Sequence, residues 1–227
     1  MMAAQDERSG GTAKRPILII NPNTSRETTA MMVDIARSCV PDGIIVTGAT
    51  ATRSPAMIVT AEALAAAASE VVEIGVRGAP QASGVIVSAF GDPGLADLRP
   101  RISIPAVGIC EASMIEAATG GRRFGVATVT PQLASAIEQR ARDLNLHHLY
   151  TGIRLTSGDP IALAVDPLRL EQALAEAVAL CFDQDRAEAV IIGGGPLGQA
   201  AIGLARSFNQ PVIAPIPSAV RLLLTMI

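Results

Sequence analysis

Eight short apolar runs rich in Val and Ile alternate along this chain with longer segments of Ala, Leu, Glu and Arg. The runs are PILIIN, GIIVTGA, GVIVSAF, IPAVGI, FGVATV, LYTGIRL, AVIIGG and PVIAPI. A strand covered on both faces needs an apolar residue at nearly every position, which is what such runs supply, and this is the habit of parallel sheets. The segments between them, Glu27 to Cys39, Ala61 to Ile74, Leu133 to Leu144 and Leu168 to Phe182, are of a length and composition suited to crossover helices. The alternation predicts an α/β fold.

Helix starts are marked locally. Asp92-Pro93, Thr130-Pro131 and Asp166-Pro167 each place a side-chain acceptor before a proline. The acceptor satisfies an orphan amide, and proline at the first helical position loses an N–H that had no partner. Thr24-Ser25-Arg26-Glu27 fits a capping box.

GVIVSAFGDPGLADLRPRISIPAVGI and AVIIGGGPLGQAAIGLARSFNQPVIAPI share the order strand, Gly/Pro turn, helix, strand, and with one insertion Ala89 pairs with Gly194. The self-similarity predicts two flavodoxin-like α/β halves related by duplication. Residues 1–14 are expected to be a flexible tail, 15–111 with 211–227 a first lobe, and 112–210 a second, the last strand returning to the first lobe. Parallel sheets collect ligands at the carboxyl ends of their strands, so Ala89 and Gly194 are expected to face each other across an interlobe cleft.

The loops expected to line it are NPNTS, GATATRSP, SAFGDPG, TVTP and GGGPLG. Rich in Gly, Asn, Thr and Ser, they suit hydrogen bonding to a small polar carbonyl or carboxylate compound, with helix N-termini favouring an anion-like group. Candidate binding residues are Pro22, Asn23, Thr24, Arg53, Ala89, Phe90, Gly91, Thr128, Thr130, Gly193, Gly194 and Gly195, although Gly, Asn and Thr are also ordinary turn and cap residues.

A formal net charge of −3 and the lack of any basic cluster argue against nucleic acid, and no apolar stretch reaches the length of a membrane span. Cys39, Cys110 and Cys181 have unrelated spacings, so a cytoplasmic protein without disulfides is expected. No metal-ligand spacing or dinucleotide pattern occurs, and neither metal nor cofactor is expected.

ILIINPNTS, SAFGDPGL, IPAVGICEASM, RRFGVATVT and AEAVIIGGGPLG with PVIAPIPSAV, in this order from Ile17 to the C-terminus, resemble the hydantoin racemase branch of the aspartate/glutamate racemase superfamily. The resemblance implies a cofactor-free site between two lobes and a homo-oligomer. One cysteine per lobe would act as acid and base on opposite faces of a stereocentre beside a carbonyl. It also implies that Asn23 and its neighbours hold the substrate carbonyl or carboxylate.

The chain departs from that pattern at both cysteines, with Ala89 ahead of Phe90-Gly91-Asp92-Pro93 and Gly194 ahead of Gly195-Pro196. Neither side chain carries a proton, so two-thiol racemisation is expected to fail. Four residues remain as candidate replacements: Asp92, Ser88, Cys110 and Glu111. Asp92 reads equally as the cap of the helix that follows it, Ser88 lacks a nearby base, and Cys110 has a carboxylate rather than a cation beside it.

Three functions follow from this reading. The first is an enzyme of the superfamily acting on a hydantoin, amino-acid derivative, cyclic amide or lactone without paired thiols, with hydrolysis or lyase chemistry by an activated water as one route. The others are a weak racemase and a non-catalytic small-molecule binding protein.

Overall fold

The computed structural model describes residues 15–227, and the tail expected over residues 1–14 lies outside them. Two four-stranded, all-parallel sheets form the frame. The first, in the order β2-β1-β3-β4, comprises β1 (Ile17–Asn21), β2 (Val46–Thr50), β3 (Gly84–Val87) and β4 (Ala106–Gly108). The second has the same order, β6-β5-β7-β8, from β5 (Phe124–Thr128), β6 (Tyr150–Leu155), β7 (Ala189–Ile192) and β8 (Val212–Ile213). All eight apolar runs therefore contribute strands, and the repeated order gives the two-lobed flavodoxin-like architecture that the duplication implied.

Helices cover both faces of each sheet. In the first lobe α1 (Arg26–Arg37) packs on Ile17, Ile19 and Ile86, while α2 (Ala61–Gly78) and the short α3 (Leu95–Leu98) pack on Leu18, Ile20, Val85 and Val87. In the second, α5 (Ala134–Asp143) packs on Phe124, Val126 and Ile191, and α7 (Pro167–Asp183) and α8 (Gly198–Ser207) pack on Ala127, Val190 and Ile192. The five-residue α6 (Pro160–Ala164) precedes α7.

The remaining two helices are exchanged. α4 (Ile109–Ala117) follows β4 of the first sheet but buries Cys110, Met114 and Ala117 in the core of the second. α9 (Pro215–Leu224) follows β8 of the second sheet but buries Ile216, Ala219, Val220 and Leu223 in the core of the first. This corrects the expectation that the last strand returns to the first lobe. β8 stays paired with β7, and only α9 crosses back.

The helix starts also differ in detail. Asp166 caps α7 as expected, accepting from the Arg169 amide at 3.1 Å. The cap of α1 is Ser25, whose Oγ accepts from Thr28 N at 3.1 Å, so the capping residue lies one position beyond Thr24. Thr130 precedes a 3₁₀ turn at Pro131–Leu133 without a side-chain cap bond. Asp92 does not start the helix after Pro93. Its φ is +51°, and α3 begins only after Gly94.

Leu223 reports on the exchange, because its methyls fill the space over Gly84 of β3. Leu223→Ala is expected to lower unfolding free energy by about 3 kcal/mol, the usual cost of a buried leucine cavity, in a urea titration. A loss below about 1 kcal/mol would mean that α9 does not help hold the first lobe together.

Candidate functional site

The carboxyl ends of both sheets open onto one cleft of about 630 Å³ between the lobes. Asn23, Ser88, Ala89 and Phe90 line it from the first lobe; Thr130 and Gly193 to Gly195 line it from the second. Ala89 and Gly194 thus border the same space. Leu64, Met57, Ile58, Leu133 and Leu170 make much of the remaining wall apolar.

The NPNTS loop is tied together by its own side chains. Asn21 Nδ2 donates to Asn23 Oδ1 at 2.8 Å, to Ser25 O at 3.0 Å and to Thr29 Oγ1 at 3.0 Å. Asn23 Oδ1 also accepts from Ser25 N at 2.9 Å. With its oxygen so occupied, Asn23 presents Nδ2, which donates to no acceptor among the described residues, and this amide suits a ligand carbonyl. Thr24 lines a separate groove between α1 and β2, and Pro22 is buried beneath the loop.

The loop after β3 is shaped by a buried carboxylate. Asp92 Oδ1 accepts from Cys110 N at 2.9 Å and Oδ2 from Glu111 N at 2.8 Å, so it caps α4 rather than a helix of its own loop. Arg140 of α5 donates through Nε to Asp92 Oδ2 at 3.2 Å and through a terminal nitrogen to Glu111 Oε2 at 2.7 Å. Arg99 bonds the other Glu111 oxygen. Burial pushes Asp92 up from 3.8 to about 6, against the pull of Arg140 and the two amides, so it is ionised at neutral pH.

These contacts remove three candidate proton carriers from the cleft. Asp92 and Glu111 spend their oxygens on amides and guanidinium groups, and neither lines the cleft. Cys110 is fully buried in α4, and burial, with Asp92 beside it, holds its thiol well above the ordinary range. Ser88 does line the cleft, but it is 1% exposed and its hydroxyl has no partner, so no base activates it.

Other expected binding residues have structural employment. Arg53 is exposed and turned to Glu73 at 2.8 Å, away from the cleft, while its amide and that of Thr52 donate to the buried Glu70 carboxylate. Thr128 Oγ1 donates to Gly193 O at 2.6 Å beneath the surface, leaving Thr130 to face the cleft. Gly91 has φ +123°, and a Cβ there would meet Leu64.

Gly193 and Gly195 are seam residues. A Cβ on Gly193 would lie 3.2 Å from the Phe90 ring and one on Gly195 2.9 Å from Ser88 O, so the lobes approach through them. Gly194 differs. Its φ of 166° is ordinary extended backbone, and a Cβ would meet only the Leu197 side chain, at 3.0 Å.

Sequence reasoning missed Glu27 of α1 and Glu171 of α7, which line the cleft from opposite lobes. Both sit on helical surfaces, where an exposed glutamate carries no signal. No cluster of three His, Cys, Asp or Glu side chains suited to a metal occurs among the described residues. Nor is any helix among them long and apolar enough to cross a membrane.

Comparison with known proteins accounts for the frame. The family described as Asp/Glu/Hydantoin racemase matches residues 17–223, nearly the whole described chain. The protein belongs to this family. It is 28% identical over 208 residues to a hydantoin racemase of Paenarthrobacter aurescens, covering 90% of this chain and 88% of that protein. An allantoin racemase from Klebsiella pneumoniae superposes with a TM-score of 0.86 at 26% identity, covering 92% of this chain and 86% of that one. Unliganded arylmalonate decarboxylase shares the fold at 18% identity and a TM-score of 0.63, covering 94% and 92%. Since one fold hosts several reactions, membership does not by itself assign this chain's chemistry.

Two measurements probe the Asp92 clamp. Asp92→Asn is expected to lose about 3–5 kcal/mol, because it leaves Arg140 short of a buried partner and an α4 amide without an acceptor. The folded pKa lies above the unfolded one, so Asp92's own contribution is greatest below about pH 4 and is lost as pH rises through about 6. The stability difference, wild type minus Asp92→Asn, should therefore fall by on the order of 2–3 kcal/mol across that window and stay level above it. A flat difference counts against the buried assignment. Separately, a Cβ on Gly108 would run into the Asp92 carboxyl, so Gly108→Ala should cost about 1–3 kcal/mol in a urea titration.

Proposed function

We propose that the protein is a racemase-superfamily enzyme whose interlobe cleft takes a small carbonyl compound of the hydantoin or ureide type without the paired-thiol proton exchange. One observation carries this: the two positions expected to hold thiols, Ala89 and Gly194, line a retained cleft but offer no protonatable group. Around them remain Asn23 Nδ2 and the hydroxyls of Ser88 and Thr130 for carbonyl oxygens and ring N–H groups, with apolar side chains for a substituent. Among the described residues no basic side chain lines the cleft, so a carboxylate substrate finds no counter-ion from them, which narrows the range read from the sequence.

In place of the thiols, the only ionisable side chains on the cleft wall among the described residues are Glu27 and Glu171, so proton movement during turnover runs through these or through water. Hydrolysis and lyase chemistry gain no support from the named relatives above 25% identity, which are racemases. The vacancy at both positions favours a second reading, a binding protein that holds such a compound unchanged.

Allantoin and monosubstituted hydantoins in heavy water, followed by NMR and polarimetry, separate these readings. Saturable binding with deuterium entry at the stereocentre above solvent background is the enzyme's expected result. Saturable binding without exchange leaves the binding protein, and no saturable binding overturns both. Ala89→Cys with Gly194→Cys is expected to raise exchange by roughly 10²- to 10⁴-fold, the usual worth of positioned acid–base groups. The backbone at Gly194 accepts a side chain once Leu197 shifts. A double variant that folds and binds yet exchanges no faster would show that the two positions do not flank the stereocentre.

A further inference from the structure

Resting on the reading of the cleft as a hydantoin-type site, we propose that it selects ligands whose substituent carries a positive charge, held between Glu27 of the first lobe and Glu171 of the second. Of the described residues lining the cleft these two alone are ionisable, and both are acidic. Among the described residues neither forms an ion pair or a side-chain hydrogen bond. The Arg side chains that do form ion pairs, such as Arg53 and Arg140, are committed to other carboxylates and stand outside the cleft.

Glu27 has a structural use, since an acid in the first turn of α1 complements the helix dipole. Glu171 has none of that kind. It stands beyond the first turn of α7, and its carboxylate lies along α8 beside Gly203, where a Cβ would come within 3.1 Å of Oε1. With no ion pair to any described residue, that carboxylate is open to a ligand cation.

An independent sign that the cleft is built to receive a ligand is Ser88. Ser88 lines the same cleft and its buried hydroxyl lacks a partner among the described residues, and buried polar groups without a partner are rare unless something else completes them. The ring engages the polar mid-cleft groups in this arrangement, while the substituent runs outward along the apolar wall to the two carboxylates.

The test compares three hydantoins of matched length, bearing an aminobutyl, a pentyl or a carboxybutyl chain, by calorimetric or NMR titration of the full chain. The aminobutyl compound is expected to bind about tenfold more tightly than the pentyl one, the scale of two partly exposed charge pairs, and the carboxybutyl compound most weakly. High salt should compress the series. Glu27→Gln with Glu171→Gln should reduce the ratio of aminobutyl to pentyl affinity to about twofold or less, on the same scale, the ratio being taken within the variant so that any change common to both compounds cancels. Equal or tighter binding of the pentyl compound overturns the charge selection and leaves the hydantoin reading standing. Failure of all three to bind overturns that reading as well.

Discussion

A buried carboxylate set on the first turn of α4 is the interaction on which the rest of this structure depends. Asp92 comes from the loop after β3, the amides it accepts from belong to the helix that crosses to the second lobe, and Arg140 reaches it from α5. One side chain therefore joins a loop of the first lobe to two helices packed on the second sheet. The positive φ at Asp92, the left-handed Gly94 and the absence of a side chain at Gly108 are the local conditions that let the carboxyl fit. A group this committed cannot also exchange protons with a substrate. The same loop presents Ala89 to the cleft.

The duplicated half solves the corresponding problem differently. α9, the counterpart of α4, begins after Ala214 with Pro215 and Pro217 in its first turn, so two of the amides that would need an acceptor are absent. No carboxylate is required there, and Gly193 and Gly195 lie against Phe90, Ser88 and Met32 instead. The two lobes thus reach the same helix exchange, one by satisfying donors and the other by deleting them. Their strand-end loops have diverged accordingly. What the lobes still share is a cleft, with a vacant position contributed by each.

That vacancy sets the chemistry. The family resemblance implies groups poised on both faces of a carbon acid, and the methyl of Ala89 and the hydrogen of Gly194 offer no acid–base assistance while leaving room for ligand. The surrounding donors are neutral and the ionisable groups on the wall are carboxylates. Electrostatics in such a site favours neutral or cationic ligands.

Much of the frame was legible because it rests on local rules. Val/Ile runs became strands, Asp166-Pro167 became a capped helix, and the repeated strand-turn-helix-strand pattern became two sheets of the same order. Ala89 and Gly194, where the resemblance implies thiols, were equally a matter of reading residues in order. Where local rules gave alternatives, packing chose. Asp-Pro at 92–93 has the form of a helix start, but the donors nearest in space belong to α4, 18 residues on, and they bind the carboxylate. Arg53 is the cation nearest the strand-end loops in sequence, and Glu70 and Glu73 of α2 draw it aside. Arg140, Glu27 and Glu171 gave no signal, since a charged residue on a helix surface looks the same whether it meets solvent, a buried partner or a cavity. Sequence alone determined the layers, the duplication and the presence of Ala89 and Gly194 in the two strand-end loops, because these follow from side-chain type and spacing. Only the tertiary structure decided which helix covers which sheet, which carboxylates are spent and which face the cleft, because those depend on neighbours brought together from distant parts of the chain.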